Sequence, residues 1–316
     1  VDSKWTRVPS SKTIGRDRFG DIYVWASNRV KLKVPEGAND YVHASPIALK
    51  SDRTGRVSKY IAMQGPQENT TDHVWRMVWH ELESPAVIVM LTTDKGYPYF
   101  PGKVGEEVKV NESDEFEDNF IGSVRCVELN ESEDGATHIR KLIMKVDGEE
   151  REKIVWHLLF TAWPDYGIPN DFHVSSLMTL IQLSRSKRAK PTDPAIVHCR
   201  AGVGRTGTFI ALDHMLGELD AGAFKVDNRS NFDANNIDDP VYDTVNRLRM
   251  QRPNMVQAAG QYKFIYEVLK KEWEKMYGTM LPRSRPGTGS RPGSARGPDT
   301  KTLRVDEQDD VFHDSQ

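Results

Sequence analysis

The chain has 316 residues, room for one large domain or two small ones, and 38% hydrophobic content with seven tryptophans is compatible with a substantial core. A net charge of −3 gives no basic surplus to argue for nucleic acid or an acidic membrane surface. The longest apolar run, Ala86 to Leu91, is far too short to cross a bilayer. Cys126 and Cys199 are the only cysteines, too few for a disulfide scaffold of this size and without metal-ligand spacing. The sequence begins at Val1 rather than Met and shows no signal-peptide pattern, as a fragment of a longer protein would.

Residues 1–30 are polar and irregular and read, taken alone, as a surface loop. Asn39–Ser45 and Lys59–Pro66 are strand-like runs ended by turn residues. Cap residues at 69–72, followed by Val74, Trp75, Val78 and Leu82 at helical spacing, predict a helix facing the core. Trp75 and Trp79 are then packing residues. Val87–Leu91 predicts a buried strand, and residues 105–120 an acidic, exposed segment. Val124–Leu129, His138–Val146 and Lys153–Phe160, separated by Gly- and Glu-rich breaks, predict an antiparallel meander. Cys126 sits in it as a small apolar filler. Thr161–Pro169 is a loop with two prolines and a glycine around a tryptophan, and Asp165 is its obvious functional group. Residues 170–187 predict a helix ending in a basic surface run. Further helices are expected at 205–220, from Asp239 to about Gln251, and after Asn254–Tyr262 as far as Tyr277, with an exposed connection over 224–237. Beyond Gly278 a basic Pro/Gly/Ser repeat with an acidic end cannot bury a core and is expected to be disordered.

The chemistry is concentrated in one stretch. Ala195-Ile196-Val197 reads as a short strand and Thr208–Leu212 as an apolar helix start. Between them lies His198-Cys199-Arg200-Ala201-Gly202-Val203-Gly204-Arg205-Thr206-Gly207. In such a loop successive N–H groups can point inward, and the following helix offers its positive end, which together make an anion site. Gly202 and Gly204 permit backbone angles and approaches that a β-carbon obstructs. The inward amides, the helix N-terminus and Arg205 all favour a thiolate at Cys199. Arg205 can grip two phosphate oxygens in a bidentate fork. Thr206 can donate its hydroxyl to the sulfur and ease its later departure. His198 orders the loop rather than acting as a base, because a preformed thiolate needs none.

This run resembles the signature loop of the cysteine-dependent protein tyrosine phosphatases, Cys-x5-Arg inside a longer His-Cys-x-Ala-Gly-x-Gly-Arg-Thr-Gly pattern. A bare Cys-x5-Arg arises often by chance; the longer form behind an apolar strand is far more specific. The resemblance covers the chain from about Arg16 to Tyr277 and looks most like tyrosine-specific, non-receptor and fungal members. It implies an α/β fold, a single domain with a highly twisted mixed β-sheet flanked by α-helices. The residues themselves support only alternating helices and strands with a β-rich middle. The expected division is a catalytic domain over 1–278 and a tail over 279–316.

Carried over position by position, the resemblance assigns roles. Asp17-Arg18-Phe19-Gly20-Asp21, with Arg29-Val30-Lys31-Leu32 at the matching distance, stands for the family's Asn-Arg-Tyr-x-Asp and Arg-Val-x-Leu. Phe19 would flank the phosphotyrosine ring, keeping the stacking face of the usual tyrosine without its hydroxyl, and Asp21 would hold N–H groups of the bound peptide. By itself Asp21 would be a solvated loop charge. His43 stands where an asparagine is usual. The loop from Thr92 to Pro101 is shorter than the family's and lacks a Glu and a second Lys, for which Asp94-Lys95 substitutes in part. That departure is expected to tell on closure of the acid-bearing loop rather than on chemistry. Thr161–Pro169 resembles the family's mobile Trp-Pro-Asp loop, which makes Asp165 the acid that protonates the leaving oxygen. Asn254–Tyr262 resembles the glutamine loop, with Gln257 positioning water and Gln261 assisting.

The expected function is hydrolysis of phosphotyrosine in proteins through a cysteinyl-phosphate. No metal or cofactor is expected, because the loop and Arg205 supply the positive potential. A dual-specificity enzyme would have a shallower pocket. A pseudophosphatase, binding phosphotyrosine without turnover, would show a lost cysteine, acid or arginine, and all three are present. The expected partners are phosphotyrosine-containing proteins, with no nucleic acid and no membrane span. The tail reads as a linker, a docking segment or a plain terminus. A reactive thiol fits a reducing, cytoplasmic compartment.

Overall fold

Along the chain the elements are α1 (Ser10–Thr13), β1 (Ala44–Lys50), β2 (Val57–Met63), a 3-10 turn at Glu68–Thr70 leading into α2 (Thr71–Glu81), and β3 (Ala86–Met90). The meander follows as β4 (Glu107–Val110), β5 (Gly122–Glu131), β6 (Thr137–Val146) and β7 (Lys153–Phe160). Then come α3 (Asp171–Ser186), β8 (Ala195–His198), α4 (Gly204–Asp220), α5 (Pro240–Gln251) and α6 (Ala259–Tyr277). The structure is a computed structural model that describes residues 4–92, 97–164, 167–225 and 239–278. These all fall within one unit, Val1–Thr279, and Met280–Gln316 lies outside them.

The strands form one mixed sheet in the order β1-β2-β8-β3-β7-β6-β5-β4, twisted as strands of L-residues are. β2, β8, β3 and β7 are parallel neighbours, and β1 and the β6-β5-β4 meander extend the two sides antiparallel. β8 is short, buried along its length and paired on both edges. Its C-terminal end therefore delivers the chain to the middle of the sheet, beyond the carboxyl ends of the parallel strands, where open α/β sheets bind ligands.

Helices cover both faces. On one side α2 packs Trp75 and Trp79 against Ile88, Met144 and Ile196. On the other, Leu177 of α3, Phe209 and Leu212 of α4, Leu248 of α5 and Phe264 of α6 pack against Tyr60, Leu158 and Val197. Consecutive β8 residues Ile196 and Val197 thus serve opposite faces, as strand geometry requires.

Several expectations change. The first 30 residues are not a free surface loop: Ile22, Val24 and Val30 are buried, and Tyr41 donates its hydroxyl to Asp17 at 2.5 Å. The strand expected over 39–45 starts only at Ala44, because residues 40–43 cross back beside 30–32, with Leu32 donating to the Asp40 carbonyl. Residues 105–120 include β4 and bury Val110, Asn111 and Phe120. Their carboxylates are used: Glu115 pairs with Arg16 and His73, and Asp118 with Arg76. The basic run at the end of α3 is no mere surface feature, since Arg185 and Arg188 both reach the buried Asp213 of α4. Trp75 and Trp79 are packing residues, 1% and 2% exposed. Most of the connection expected over 224–237 lies outside the described residues.

Candidate active site

The loop between β8 and α4 is shaped from both ends. α4 begins at Gly204 behind Val203, an N-cap residue with no side-chain capping bond, so first-turn N–H groups are available to an anion. Gly202 has φ +72°, and a β-carbon there would lie 2.0 Å from the Met63 carbonyl oxygen at the end of β2. No other residue fits. This turn aims the Gly202 N–H at Cys199, donating to Sγ at 3.3 Å.

Cys199 is 4% exposed. Burial pushes its thiol up, but the Arg205 charge, the Thr206 hydroxyl and the Thr206 and Gly202 N–H groups outweigh that and leave the pKa below the ordinary thiol value. The Thr206 hydroxyl is buried and has no partner in hydrogen-bond geometry among the described residues; its effect on the sulfur is therefore a near contact rather than a formed bond. Arg205 is 5% exposed and donates to the Trp163 carbonyl at 3.0 Å. His198 is fully buried, with Nδ1 at 3.1 Å from the Cys199 carbonyl and Nε2 at 2.8 Å from the Tyr99 hydroxyl. Burial holds its pKa down at about 4. A neutral ring that donates Nδ1–H to the carbonyl and accepts from Tyr99 satisfies both contacts.

Behind the loop stands a residue that sequence reasoning missed. Arg252 is fully buried. It donates to the Gly202 carbonyl at 2.8 Å and the Ala201 carbonyl at 3.3 Å, and on its other side to Ser45 Oγ and His43 Nδ1. The C=O and N–H of a trans peptide point in opposite directions. Holding these two carbonyls outward therefore turns the Gly202 and Val203 N–H groups toward the cradle. Burial lowers the Arg252 pKa to about 10, which leaves it charged at neutral pH. An arginine before a proline at a helix end gives no sequence signal for this role. His43, at the family's usual asparagine position, accepts from Arg252 and sits 3.2 Å from the Ile22 carbonyl through Nε2.

In front of the loop is a cavity of 340 Å³ lined by Phe19, Asp21, Cys199, Arg200, Ala201, Gly204, Arg205, Gln257 and Gln261, with Ile22 and Ala258. The expected site residues Gly202, Val203 and Thr206 are buried and do not line it. Phe19 is half-buried under the Arg200 guanidinium, 5.6 Å from its ring centre, and Asp21 is exposed on the same rim. The two glutamines differ. Gln257 is exposed in the cavity, following Val256, a β-branched residue with φ +57°. That conformation is held by the Val256 N–H to the Val203 carbonyl and by Arg249 to the Val256 carbonyl. Gln261 is 2% exposed; it accepts from the Ala258 N–H at the start of α6 and donates to the Gly167 carbonyl. Trp163 also donates to that carbonyl, at 3.0 Å. Asp165, Asp94 and Lys95 lie outside the described residues.

A buried cysteine with a lowered pKa, a buried arginine close by and the N-terminus of α4 thus meet at the end of a parallel strand. The sequence profile of the protein-tyrosine phosphatase family matches residues 13–271, and the chain belongs to that family. Among its relatives, human receptor-type tyrosine-protein phosphatase C is 35% identical over 275 residues, covering 80% of this chain and 18% of that protein. Human tyrosine-protein phosphatase non-receptor type 4 is 29% identical over 275 residues, covering 84% of this chain and 26% of the relative. Tyrosine-protein phosphatase 3 of Schizosaccharomyces pombe is 32% identical over 239 residues, covering 72% of this chain and 74% of the relative. The chain thus spans about a quarter or less of the two human relatives, and the likeness extends to human as well as fungal proteins. A solved structure described as the structural basis of the PTPN18 fingerprint on distinct HER2 tyrosine phosphorylation sites shares the fold, with TM-score 0.65, 22% identity and coverage of 84% of this chain and 88% of that one. Among the described residues no helix is long and apolar enough to cross a membrane.

Proposed function

We propose that this chain hydrolyses phosphotyrosine in proteins in two steps. The Cys199 thiolate attacks phosphorus, forming the S–P bond as the P–O bond to the tyrosine breaks, and Asp165 gives its proton to the departing phenolic oxygen. Loop amides and Arg205 stabilise the charge on the equatorial oxygens. Gln257 then orients a water, which attacks phosphorus as Asp165 takes its proton, and the S–P bond breaks to return the thiolate and release phosphate. Gln261 acts as a brace, linking the start of α6 to the segment that follows Asp165.

One observation carries this reading: a buried cysteine with a depressed pKa shares a cavity with Arg205, Gln257 and an aromatic wall. The substrates on this reading are phosphotyrosine-containing proteins, the compartment is a reducing cytoplasm, and residues 279–316 form a separate tail available for docking. The test is turnover of a phosphotyrosine peptide by Cys199→Ser and Asp165→Ala. The first abolishes phosphate release, and the second lowers kcat by about 10²–10⁴-fold, the range for general acid–base groups. Wild-type turnover by Asp165→Ala would remove Asp165 from the mechanism.

A further inference from the structure

The mouth of the cavity carries more positive charge than a single phosphate requires. Arg205 is almost fully buried at the base, where the phosphate itself belongs. Arg200, next to the nucleophile in sequence, is exposed, lines the cavity and lies over the Phe19 ring at 5.6 Å. Its backbone is fixed as well, because its carbonyl accepts from the Gly65 N–H at 3.0 Å. The side chain thus starts from a fixed backbone and lies over an aromatic face, which reduces the entropy lost when it binds.

Neither Arg200 nor its neighbour Arg18 forms an ion pair among the described residues. Arg18 gives its hydrogen bonds to the Gly65 and Pro66 carbonyls at 3.1 and 2.6 Å. Burial lowers the Arg18 pKa, and the Arg200 charge lowers it further, so the two cations feel one another. Asp21 is the acidic residue that lines this cavity among those described. Elsewhere carboxylates take up Arg16, Arg29, Arg76 and Arg185. Arg200, exposed on the cavity wall beside a second cation, is poised to receive an anion from outside.

We propose that Arg200, supported by Arg18, is a specificity-determining residue that selects phosphotyrosines with a second anionic side chain, carboxylate or phosphate, within about two residues along the peptide, roughly 7 Å of extended chain. This rests on the phosphotyrosine reading above. A planar guanidinium on an aromatic face presents its edge donors to either anion in a bidentate fork.

The experiment compares four peptides with a central phosphotyrosine flanked on both sides by Ala, Glu, phosphoserine or Lys. kcat/KM is measured with the full chain and with Arg200→Ala and Arg200→Glu, and affinity for the same peptides is measured with Cys199→Ser. Glu and phosphoserine flanks exceed Ala by about fivefold, the upper range for a solvent-exposed ion pair, and Lys flanks fall below Ala. The ratios shrink toward one in Arg200→Ala whatever its absolute rate, and invert in favour of Lys in Arg200→Glu, which a purely structural role for the side chain would not produce. A larger gain from phosphoserine assigns the lip to phosphate, and an equal or larger gain from Glu assigns it to carboxylate. Equal handling of Glu and Ala by the wild type, or a preference unchanged in both variants, would overturn the proposal while leaving the phosphatase reading intact. No turnover of any peptide would sink that reading instead, and the affinity ratios would still decide the role of Arg200.

Discussion

Arg252 and Asp213 are both fully buried, yet their surroundings are opposite. Asp213 on α4 is met by Arg185 and Arg188 and receives the Tyr60 hydroxyl at 2.9 Å. Its charge is closed within its own cluster, which ties α3 and β2 to α4. Arg252 has only neutral groups at hydrogen-bonding distance, namely two loop carbonyls, a serine and a histidine. Its charge is offset at longer range by Cys199 and Asp17. The first arrangement fastens helices together, whereas the second leaves a positive charge behind the loop that carries Cys199. A buried charge bonded to the backbone of a loop shapes that loop, and a buried charge closed in its own ion pairs fastens the fold.

The largest expected effect tests the closed side. Asp213→Ala strands Arg188, leaves Arg185 with Asp220 as its ion-pair partner, and lowers unfolding stability by about 3–5 kcal/mol, the cost of breaking a buried pair. Denaturant titration would show this, while the pH midpoint for Cys199 alkylation stays put. A moved midpoint would mean that Asp213 also belongs to the site. The next effect tests the open side. Arg252→Met releases the Ala201 and Gly202 carbonyls and lowers kcat/KM by about 10²-fold, comparable to losing an oxyanion donor, and it raises the alkylation midpoint. Unchanged alkylation would deny Arg252 any influence on the thiolate.

Acid sharpens the contrast further. Burial holds His43 at about 3 and His198 and His214 at about 4, with the Arg252 charge adding to the effect on His43. Their folded pKa values lie below the unfolded value near 6.5, so the unfolded chain takes up protons first. Their contribution to stability is complete above about pH 6.5 and is lost as pH falls toward 4, at roughly 1.4 kcal/mol per pH unit for each histidine. His43→Asn keeps a donor and an acceptor for Ile22 and Arg252 and removes one proton from that slope. An unaltered slope would show that His43 does not titrate on unfolding. The smallest effect comes from an exposed pair: Lys263 and Glu267, 78% and 53% exposed on α6, contribute under about 0.5 kcal/mol. Lys263→Ala should barely shift a melting curve.

What could be read from the amino-acid sequence follows the distance between cooperating residues. β8, the cysteine loop and α4 are contiguous, so the strand, glycines, Cys199 and Arg205 announce the cradle from the sequence alone. The meander is equally plain, because alternation and breaks are local. Phe19 and Asp21 reach the cavity from some 180 residues away, and only a family pattern connects them to it. Arg252 and the Arg185–Asp213 cluster leave no such trace. Their partners lie 50 and 28 residues distant, and an isolated arginine reads as solvated until the fold brings its acceptors. The acidic 105–120 segment misleads for the same reason, since the cations that bind Glu115 and Asp118 come from α2 and the N-terminal segment.

Phosphate release from a phosphotyrosine peptide and from its phosphothreonine counterpart, in chelator and with Cys199→Ser alongside, tests the central claim most directly. Release from the phosphotyrosine peptide alone, abolished in the variant, is the predicted result. Tight binding of phosphotyrosine with no release by the wild-type chain would contradict it and make the site a reader rather than a hydrolase.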